Sequence, residues 1–127
     1  MGQPVVHFEI IGNDPTRLRR FFNDLFDWEC DTSGTVAEAI SEPTNDGFID
    51  LLTASDGSGI RGGIGGGDRY DRHVVFYVGV PDVEQALGKV EDLGGQRQMG
   101  PVTAPNGLVI GHFTDLEGNL IGLASAV

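Results

Sequence analysis

The sequence has few positive charges. Its 127 residues include 19 acidic and 8 basic side chains, which gives a formal net charge of −11. A charge of this size repels phosphate backbones and anionic lipid surfaces. We therefore predict that neither nucleic acid nor membrane is a partner of this chain.

Long apolar runs and cysteine pairs are also lacking. No stretch reaches the roughly 20 apolar residues that a membrane-spanning helix needs, and the opening residues show no basic stretch followed by an apolar run. The single cysteine, Cys30, has no second cysteine in this sequence with which to pair, in agreement with a reducing compartment. These features predict a cytoplasmic protein, and the length predicts a single domain over residues 1–127.

Glycine is abundant and is concentrated in a run at residues 62–67. Gly57, Gly59 and Gly62 formally match the G-x-G-x-x-G pattern of dinucleotide-binding loops. However, more glycines follow where a helix should begin, and the Lys-Ser/Thr ending of a phosphate-binding loop is missing. We interpret the run as a thin strand that leads into a linker.

Two histidines, His7 and His73, occupy matching places in two strand-like segments. Side chains alternate between the two faces of a strand, so each histidine is predicted opposite an apolar face. The predicted apolar faces are Val6, Phe8 and Ile10, then Val74, Phe76 and Val78; the opposite faces are His7 and Glu9, then His73, Val75 and Tyr77. Strands that bury one face against a helix and turn a histidine the other way suit a sheet curved around a polar pocket.

A helix signal follows each of these segments. Asp14-Pro15 is an N-cap acceptor followed by proline at the first helical position, and predicts a helix to about Phe26. Pro81-Asp82 predicts a second helix, which Gly94-Gly95 ends. The helical period predicts buried faces formed by Leu18, Phe21, Phe22 and Leu25 in the first helix, and by Val83, Ala86, Leu87, Val90 and Leu93 in the second.

Three short strands are predicted after each helix, separated by turn-rich pieces. They cover about residues 34–41, 47–53 and 60–65, then 95–99, 107–114 and 119–124. The order is strand, helix and three strands, twice over. This order predicts an α+β fold of two modules, at about 1–66 and about 70–127.

Several motifs follow one another along nearly the whole chain. They are His7-x-Glu9-Ile10, Asp14-Pro15, the aromatic stretch from Phe21 to Trp28, Gly62-Gly63-Ile64, Val75 to Val78, and Asp115 to Asn119. In this order they resemble the vicinal oxygen chelate superfamily of glyoxalase I, extradiol dioxygenases, fosfomycin-resistance enzymes and bleomycin-binding proteins, in particular an uncharacterised glyoxalase-like branch. The resemblance implies two βαβββ modules that form a curved mixed-sheet cup with the helices outside.

The resemblance also implies a metal site. In glyoxalase-type members a histidine opens each module and a glutamate near its end usually completes the ligand set. His7 and His73 match the opening positions and are the predicted ligands of one divalent ion, with zinc, nickel, manganese and iron as candidates. Gly122 stands where the last glutamate belongs, and the residues from Gly63 to Gly65 offer no carboxylate either.

Two functions follow from this pattern. One is a metal-dependent lyase, isomerase or dioxygenase, in which the cation chelates two neighbouring oxygens of a small substrate and Glu9 is a ligand or base. The other is a metal-free protein that binds a small molecule in the cup, as bleomycin-binding relatives do. The excess of negative charge then favours a cationic or metal-complexed ligand. The missing glutamates favour the second function.

The predicted ligand-binding residues are His7, Glu9, His73 and Tyr77, and Glu9 is the candidate for catalysis. In a dry pocket the pKa of Glu9 rises toward the range of a general base; alternatively, Glu9 is a buried acceptor bonded to backbone or to an arginine. Alternation alone does not predict the face that His112 takes. We also predict a homodimer, because symmetric dimers are the commonest soluble assembly.

Overall fold

The computed structural model describes residues 2–33, 36–42, 46–49 and 59–125. The chain forms two compact units: an amino-terminal unit of His7–Val74, and a carboxy-terminal unit of Met1–Val6 together with Val75–Val127. Each unit combines one described helix with strands of both directions, so the predicted α+β class is confirmed. The division falls within the two opening strands.

The described helices are too short or too polar to cross a membrane.

Strand β1 (Val5–Gly12) belongs to the amino-terminal unit from His7 onward. This unit also contains α1 (Pro15–Phe26), β2 (Gly47–Ile49) and β3 (Arg61–Gly66). Strand β3 lies between the other two, parallel to β1 and antiparallel to β2. Helix α1 begins as predicted, because the Asp14 carboxylate accepts a hydrogen bond from the Arg17 N–H at 3.2 Å and Pro15 follows.

A strand is predicted over about residues 34–41. This prediction is wrong for residues 36–41, the part of it that the structure describes. They form a turn in which the Ile40 N–H donates to the Ala37 carbonyl at 2.9 Å, so this backbone is closed on itself and does not pair with a strand. The strand predicted over 47–53 is confirmed at Gly47–Ile49, and its remaining residues lie outside the described ranges.

The glycine run forms a buried strand, as predicted. Strand β3 contains most of it, and residues 62–67 are all buried. The Phe8 ring from β1 fills the space that a side chain at Gly62 would need, and the backbone of Gly12 does the same at Gly66, where φ is 121°. Glycine is required here because neighbouring groups approach the backbone closely.

Strand β4 (His73–Gly79) belongs to the carboxy-terminal unit from Val75 onward. This unit also contains α2 (Val83–Asp92), β5 (Gln96–Thr103), β6 (Val109–Thr114) and β7 (Leu120–Ser125). Strand β7 runs parallel to β4 and antiparallel to β6, which in turn pairs antiparallel with β5. The side chains of Val83, Leu87 and Leu123 form the core between helix and sheet. The second βαβββ module is therefore confirmed.

The predicted alternation is observed on both opening strands, but the predicted buried face is wrong on β4 and only partly correct on β1, where Phe8 and Ile10 are half-buried. Val74 is 67% exposed and Phe76 is also exposed, whereas Val75 and Tyr77 are each 1% exposed. On β1, Val6 is exposed and Glu9 is 1% exposed. The reason lies in the neighbouring strands, where Gly63 and Gly122 carry no side chains and leave space for Glu9 and Tyr77.

The predicted buried faces of the helices are only partly correct. In α1, Phe21 is 58% and Leu25 is 56% exposed, whereas the guanidinium of Arg19 reaches the sheet and donates to the Ile64 carbonyl at 3.3 Å. In α2 the inner residues are buried or half-buried, but Leu93 lies just past the last helical turn and is 68% exposed.

Candidate functional site

The amino-terminal unit contains a buried polar cluster that begins with His7 and Glu9. The two residues lie two positions apart on β1, hence on the same face of the strand. Their side chains converge, with His7 Nε2 at 3.0 Å from Glu9 Oε1. Glu9 is almost fully buried, whereas the His7 side chain is 26% exposed. His7 therefore connects the buried carboxyl group with the surface.

A second carboxyl group, Asp46, completes the cluster and is fully buried. Asp46 immediately precedes β2, and its carboxyl group is close enough to that of Glu9 for the two to share a hydrogen bond when one is protonated. Among the described residues, no other group donates a hydrogen bond to Glu9 Oε2 or to either oxygen of Asp46. Three of the four carboxyl oxygens in the pair thus lack a donor other than a shared proton.

Strand β3 makes room for both carboxyl groups. A Cβ at Gly63 would lie 2.5 Å from Glu9 Oε1, and a Cβ at Gly65 would lie 2.6 Å from Asp46 Oδ1 and 2.5 Å from Ser41 Oγ. Gly63 and Gly65 are on the same face of β3, and Gly63 is the direct partner of Glu9 across the parallel pair. The carboxyl pair therefore packs directly against the backbone of β3, at two positions that carry no side chain.

Burial changes the protonation of every member of the cluster. Loss of hydration raises the pKa of Glu9 to about 8, since it disfavours the charged form, and a hydrogen bond with Asp46 opposes this shift. Burial, followed by the charge of Glu9, raises the pKa of Asp46 to about 8. Burial lowers the pKa of His7, although the charge of Asp46 opposes this. The two carboxyls titrate as one coupled pair that retains protons near neutral pH.

His73 belongs to the same unit, and its ring orientation is set by a backbone contact. Its Nδ1 donates to the Asp71 carbonyl at 2.7 Å, which places the proton on Nδ1 and leaves Nε2 as the acceptor in the neutral ring. His73 Nε2 is buried and has no hydrogen-bond partner among the residues that the structure describes.

Tyr77 and His112 form a polar pair in the carboxy-terminal unit. Gly122 on β7 is the direct partner of Tyr77 on β4 and of His112 on β6. Because position 122 has no side chain, the Tyr77 ring covers it, and the Tyr77 hydroxyl lies 2.8 Å from His112 Nε2. Both residues are buried. The role of Tyr77 as a ligand contact remains a prediction.

The family's full metal ligand set does not fit these residues. His7 Nε2, the nitrogen nearest the cluster, already contacts Glu9, and the closing positions Gly63 and Gly122 carry no ligand atom. In addition, the space over each glycine is filled by a side chain from the neighbouring strand. Within the described ranges, no group of three or more His, Cys, Asp or Glu side chains is arranged to hold a metal ion.

A family model for the glyoxalase/bleomycin resistance protein/dioxygenase superfamily matches residues 5–123. The chain belongs to this superfamily. The resemblance inferred from the order of motifs is thereby confirmed. No curated protein matches the sequence significantly.

Solved structures share the fold of this superfamily member. Methylmalonyl-CoA epimerase from Streptomyces coelicolor, in complex with 2-nitronate-propionyl-CoA, has a TM-score of 0.72 at 18% identity, covering 98% of both chains. A methylmalonyl-CoA epimerase in complex with methylmalonyl-CoA and NH4+ has the same TM-score and identity, covering 98% of this chain and 95% of that one. A hypothetical protein from Bacillus halodurans C-125 has a TM-score of 0.72 at 11% identity, covering 100% and 96%.

Two members of these polar groups were not identified from the sequence. Asp46 lies in a turn-rich piece between two proposed strands, and nothing in the local pattern indicates that its side chain points inward. The signal available was the glycine alternation at Gly63 and Gly65, which marks space for bulky neighbours. His112 follows Gly111 in a strand whose faces alternation alone does not resolve.

Proposed function

We propose that this protein binds a small molecule at the cluster of His7, Glu9 and Asp46, and that it does so without the four-ligand metal centre of glyoxalase-type relatives. The observation that carries the proposal is the pair of buried carboxyl groups on the bare backbone of β3, beside a partly exposed imidazole. Such a pair is costly to bury unless a proton or a ligand satisfies its oxygens.

The charge of the protein supports a cationic ligand. The formal net charge is −11, and the two carboxyls of the cluster concentrate negative charge at one place once their protons leave. Superfamily neighbours accommodate small ligands on the same fold, and one epimerase structure holds both a CoA ester and an ammonium ion. In this proposal Glu9 contacts the ligand, with His7 at the exposed side.

Thermal unfolding with ligand panels tests this proposal. At least one small organic cation should raise the Tm saturably, because a ligand that binds only the folded state stabilises it. The increase should be lost in His7→Ala and Glu9→Gln and kept in Lys89→Ala, a control in α2. An equal increase in His7→Ala, or no increase with any cationic, neutral or anionic molecule tested, would contradict the proposal. If mass spectrometry detected conversion of the bound molecule, the protein would be an enzyme and not only a binding protein.

A metal-dependent reaction on a vicinal-oxygen substrate is the second candidate. One observation favours it: His73 Nε2 is buried and acts as an acceptor, with no partner among the described residues, the state in which imidazole binds zinc or iron. Elemental analysis of untagged protein should then show near-stoichiometric metal that is lost in the His7→Ala/His73→Ala double variant. Absence of metal in both proteins, even after incubation with zinc, nickel, manganese or ferrous iron, rejects this candidate.

A further inference from the structure

An aromatic patch lies on the surface of the amino-terminal unit. Three of its members, Phe21, Leu25 and Phe26, are 58%, 56% and 53% exposed. The rings of Phe22 and Trp28 are half-buried and stack on each other with 5.5 Å between their centroids. Ring contacts also join Phe21 to Phe22 and Phe26 to Trp28. We call these five residues the α1 patch. Because its rings support one another, little side-chain freedom is lost when a partner covers them.

The α1 patch is large enough to form the centre of an interface. An aromatic side chain has about 150–250 Å² of surface, so the exposed fractions of Phe21 and Phe26 alone leave about 200 Å² in water. Leu25 and the half-buried rings raise the apolar area to the order of 300 Å². Two copies of the patch, one from each chain, supply about half of the roughly 1,200 Å² that a specific interface needs at least. Exposed polar residues of α1 supply the surrounding rim.

The charges along α1 run in the reverse of the order that stabilises a helix on its own. Arg17 and Arg20 lie in the first half, whereas Asp24 and the C-cap residue Asp27 lie at the other end, and all four are exposed. The first turn has no acidic residue and the last turn has no basic one. The helix dipole favours the opposite arrangement, with acidic side chains at the amino-terminal end. This order is unfavourable within one chain, but an antiparallel helix alongside makes it favourable.

The exposed face of α1 is complementary to itself. Phe21 lies between Arg17 and Asp24 on one face, because spacings of four and three residues keep side chains on the same side of a helix. A two-fold axis at Phe21 reverses this order, so that Arg17 of each chain faces Asp24 of its copy. Arg20 and Asp27 add one charge of each sign. Two chains of net charge −11 therefore approach each other here without local repulsion.

We propose that the α1 patch is the docking surface for a second copy of this chain, in a two-fold symmetric dimer whose α1 helices pack antiparallel. The inference does not depend on the proposed ligand site. An unrelated partner would require an apolar patch but not the reversed order of charges along α1. A copy of the same chain requires both, since an isologous interface must be complementary to itself.

Sedimentation equilibrium of the full chain tests the proposal. The natural chain should have a mass close to twice the 13.5 kDa of one copy. Phe21→Glu should weaken the dissociation constant of the dimer by roughly tenfold or more, because each dimer carries the change twice at its centre. Leu116→Glu is the matched control, since Leu116 is an apolar side chain that is 75% exposed outside the patch. A monomer at about 100 μM, a mass other than that of a dimer, or equal effects of the two substitutions would overturn the proposal.

An exchange of charges tests the antiparallel geometry. Arg17→Asp brings like charges together across the axis and should weaken the dissociation constant by roughly threefold to tenfold, because two pairs change. The double variant Arg17→Asp/Asp24→Arg restores opposite charges between the chains and should recover the natural value. Within one chain the two residues are seven positions apart, about 10 Å along the helix axis, so recovery reports a contact between chains.

A double variant that dimerises no better than Arg17→Asp would overturn the proposal. Circular dichroism checks that each variant is folded. If Phe21→Glu does not fold, the charge variants decide, because they alter only exposed side chains.

Discussion

Glu9 and Gly63 are direct partners on two parallel strands, and the carboxyl group of Glu9 fills the space that a side chain at position 63 would take. The same relationship recurs between Tyr77 and Gly122 in the carboxy-terminal unit. In both units a polar side chain from the opening strand lies over a glycine of the closing strand. These are the positions at which glyoxalase-type relatives are expected to carry a ligand.

Gly63→Ala should destabilise the protein. Its Cβ would lie 2.5 Å from Glu9 Oε1, so Glu9 must move away from its buried position. Overpacking of this kind costs about 1–3 kcal/mol of the free energy of unfolding, which urea denaturation measures. Gly88→Ala is the matched control, since no atom lies within 4 Å of its Cβ in α2, and it should stabilise by about 0.5–1 kcal/mol. Equal stability of the two variants would show that Glu9 is not confined by Gly63.

Stability should fall as the pH rises from about 6.5 to about 8. In the unfolded chain Glu9 and Asp46 lose their protons near their ordinary pKa values of 4.5 and 3.8, but the folded pair keeps them until about 8. The folded state therefore binds more protons across this range, and the free energy of unfolding decreases by up to about 1.4 kcal/mol per pH unit for each excess proton. Above about pH 8 the decrease from this pair ends.

His7 sets the lower limit of that measurement. Its pKa is lowered from 6.5, so below pH 6.5 the unfolded chain binds the extra proton and this residue's contribution to stability increases with rising pH. Urea denaturation between pH 6.5 and 8 follows mainly the carboxyl pair, because Cys30, whose pKa burial raises above 9.0, adds a decrease of its own at higher pH. In Glu9→Gln the decrease should be smaller, because one titrating group is removed and the Glu9 charge no longer raises the pKa of Asp46. A slope identical to that of the natural chain would contradict the coupled pair.

Tyr77 and His112 should be energetically coupled. Their side chains share a buried 2.8 Å hydrogen bond across Gly122. A double-mutant cycle with Tyr77→Phe and His112→Leu should give an interaction free energy of about 0.5–3 kcal/mol. Additive effects of the two substitutions on the free energy of unfolding would mean that the contact contributes nothing to stability.

Gly122→Glu should not restore metal binding. The Tyr77 ring covers the position, so a new side chain displaces it and the variant should lose stability. Elemental analysis after incubation with zinc or manganese should detect no more metal than in the natural chain. Stoichiometric metal in Gly122→Glu would show that the missing carboxylate alone prevents metal binding.

Local signals accounted for much of the fold. Asp14-Pro15 placed the start of α1 correctly, and the Asp82 side chain caps α2 by accepting from the Gln85 N–H at 3.0 Å. The strands of the second module agree with the alternating, turn-bounded segments because each of these signals acts within a few residues. The order of motifs was sufficient to identify the superfamily.

The buried faces depended on information that no single segment contains. Whether Tyr77 is buried depends on strand β7 beside β4 and on the absence of a side chain at Gly122, a residue distant in the sequence. For the same reason the contact between Asp46 and Glu9 could not be predicted from either segment alone, because it depends on Gly63 and Gly65 of β3, which leave room for the two carboxyl groups.

By itself, the sequence determined the helices, most of the strands, the negative charge and the family, because these follow from local spacing and composition. Only the tertiary structure decided that Glu9 meets Asp46 and that Tyr77 meets His112. Such contacts arise when strands distant in sequence pair in a particular register, and a register shift of one residue turns every side chain to the opposite face.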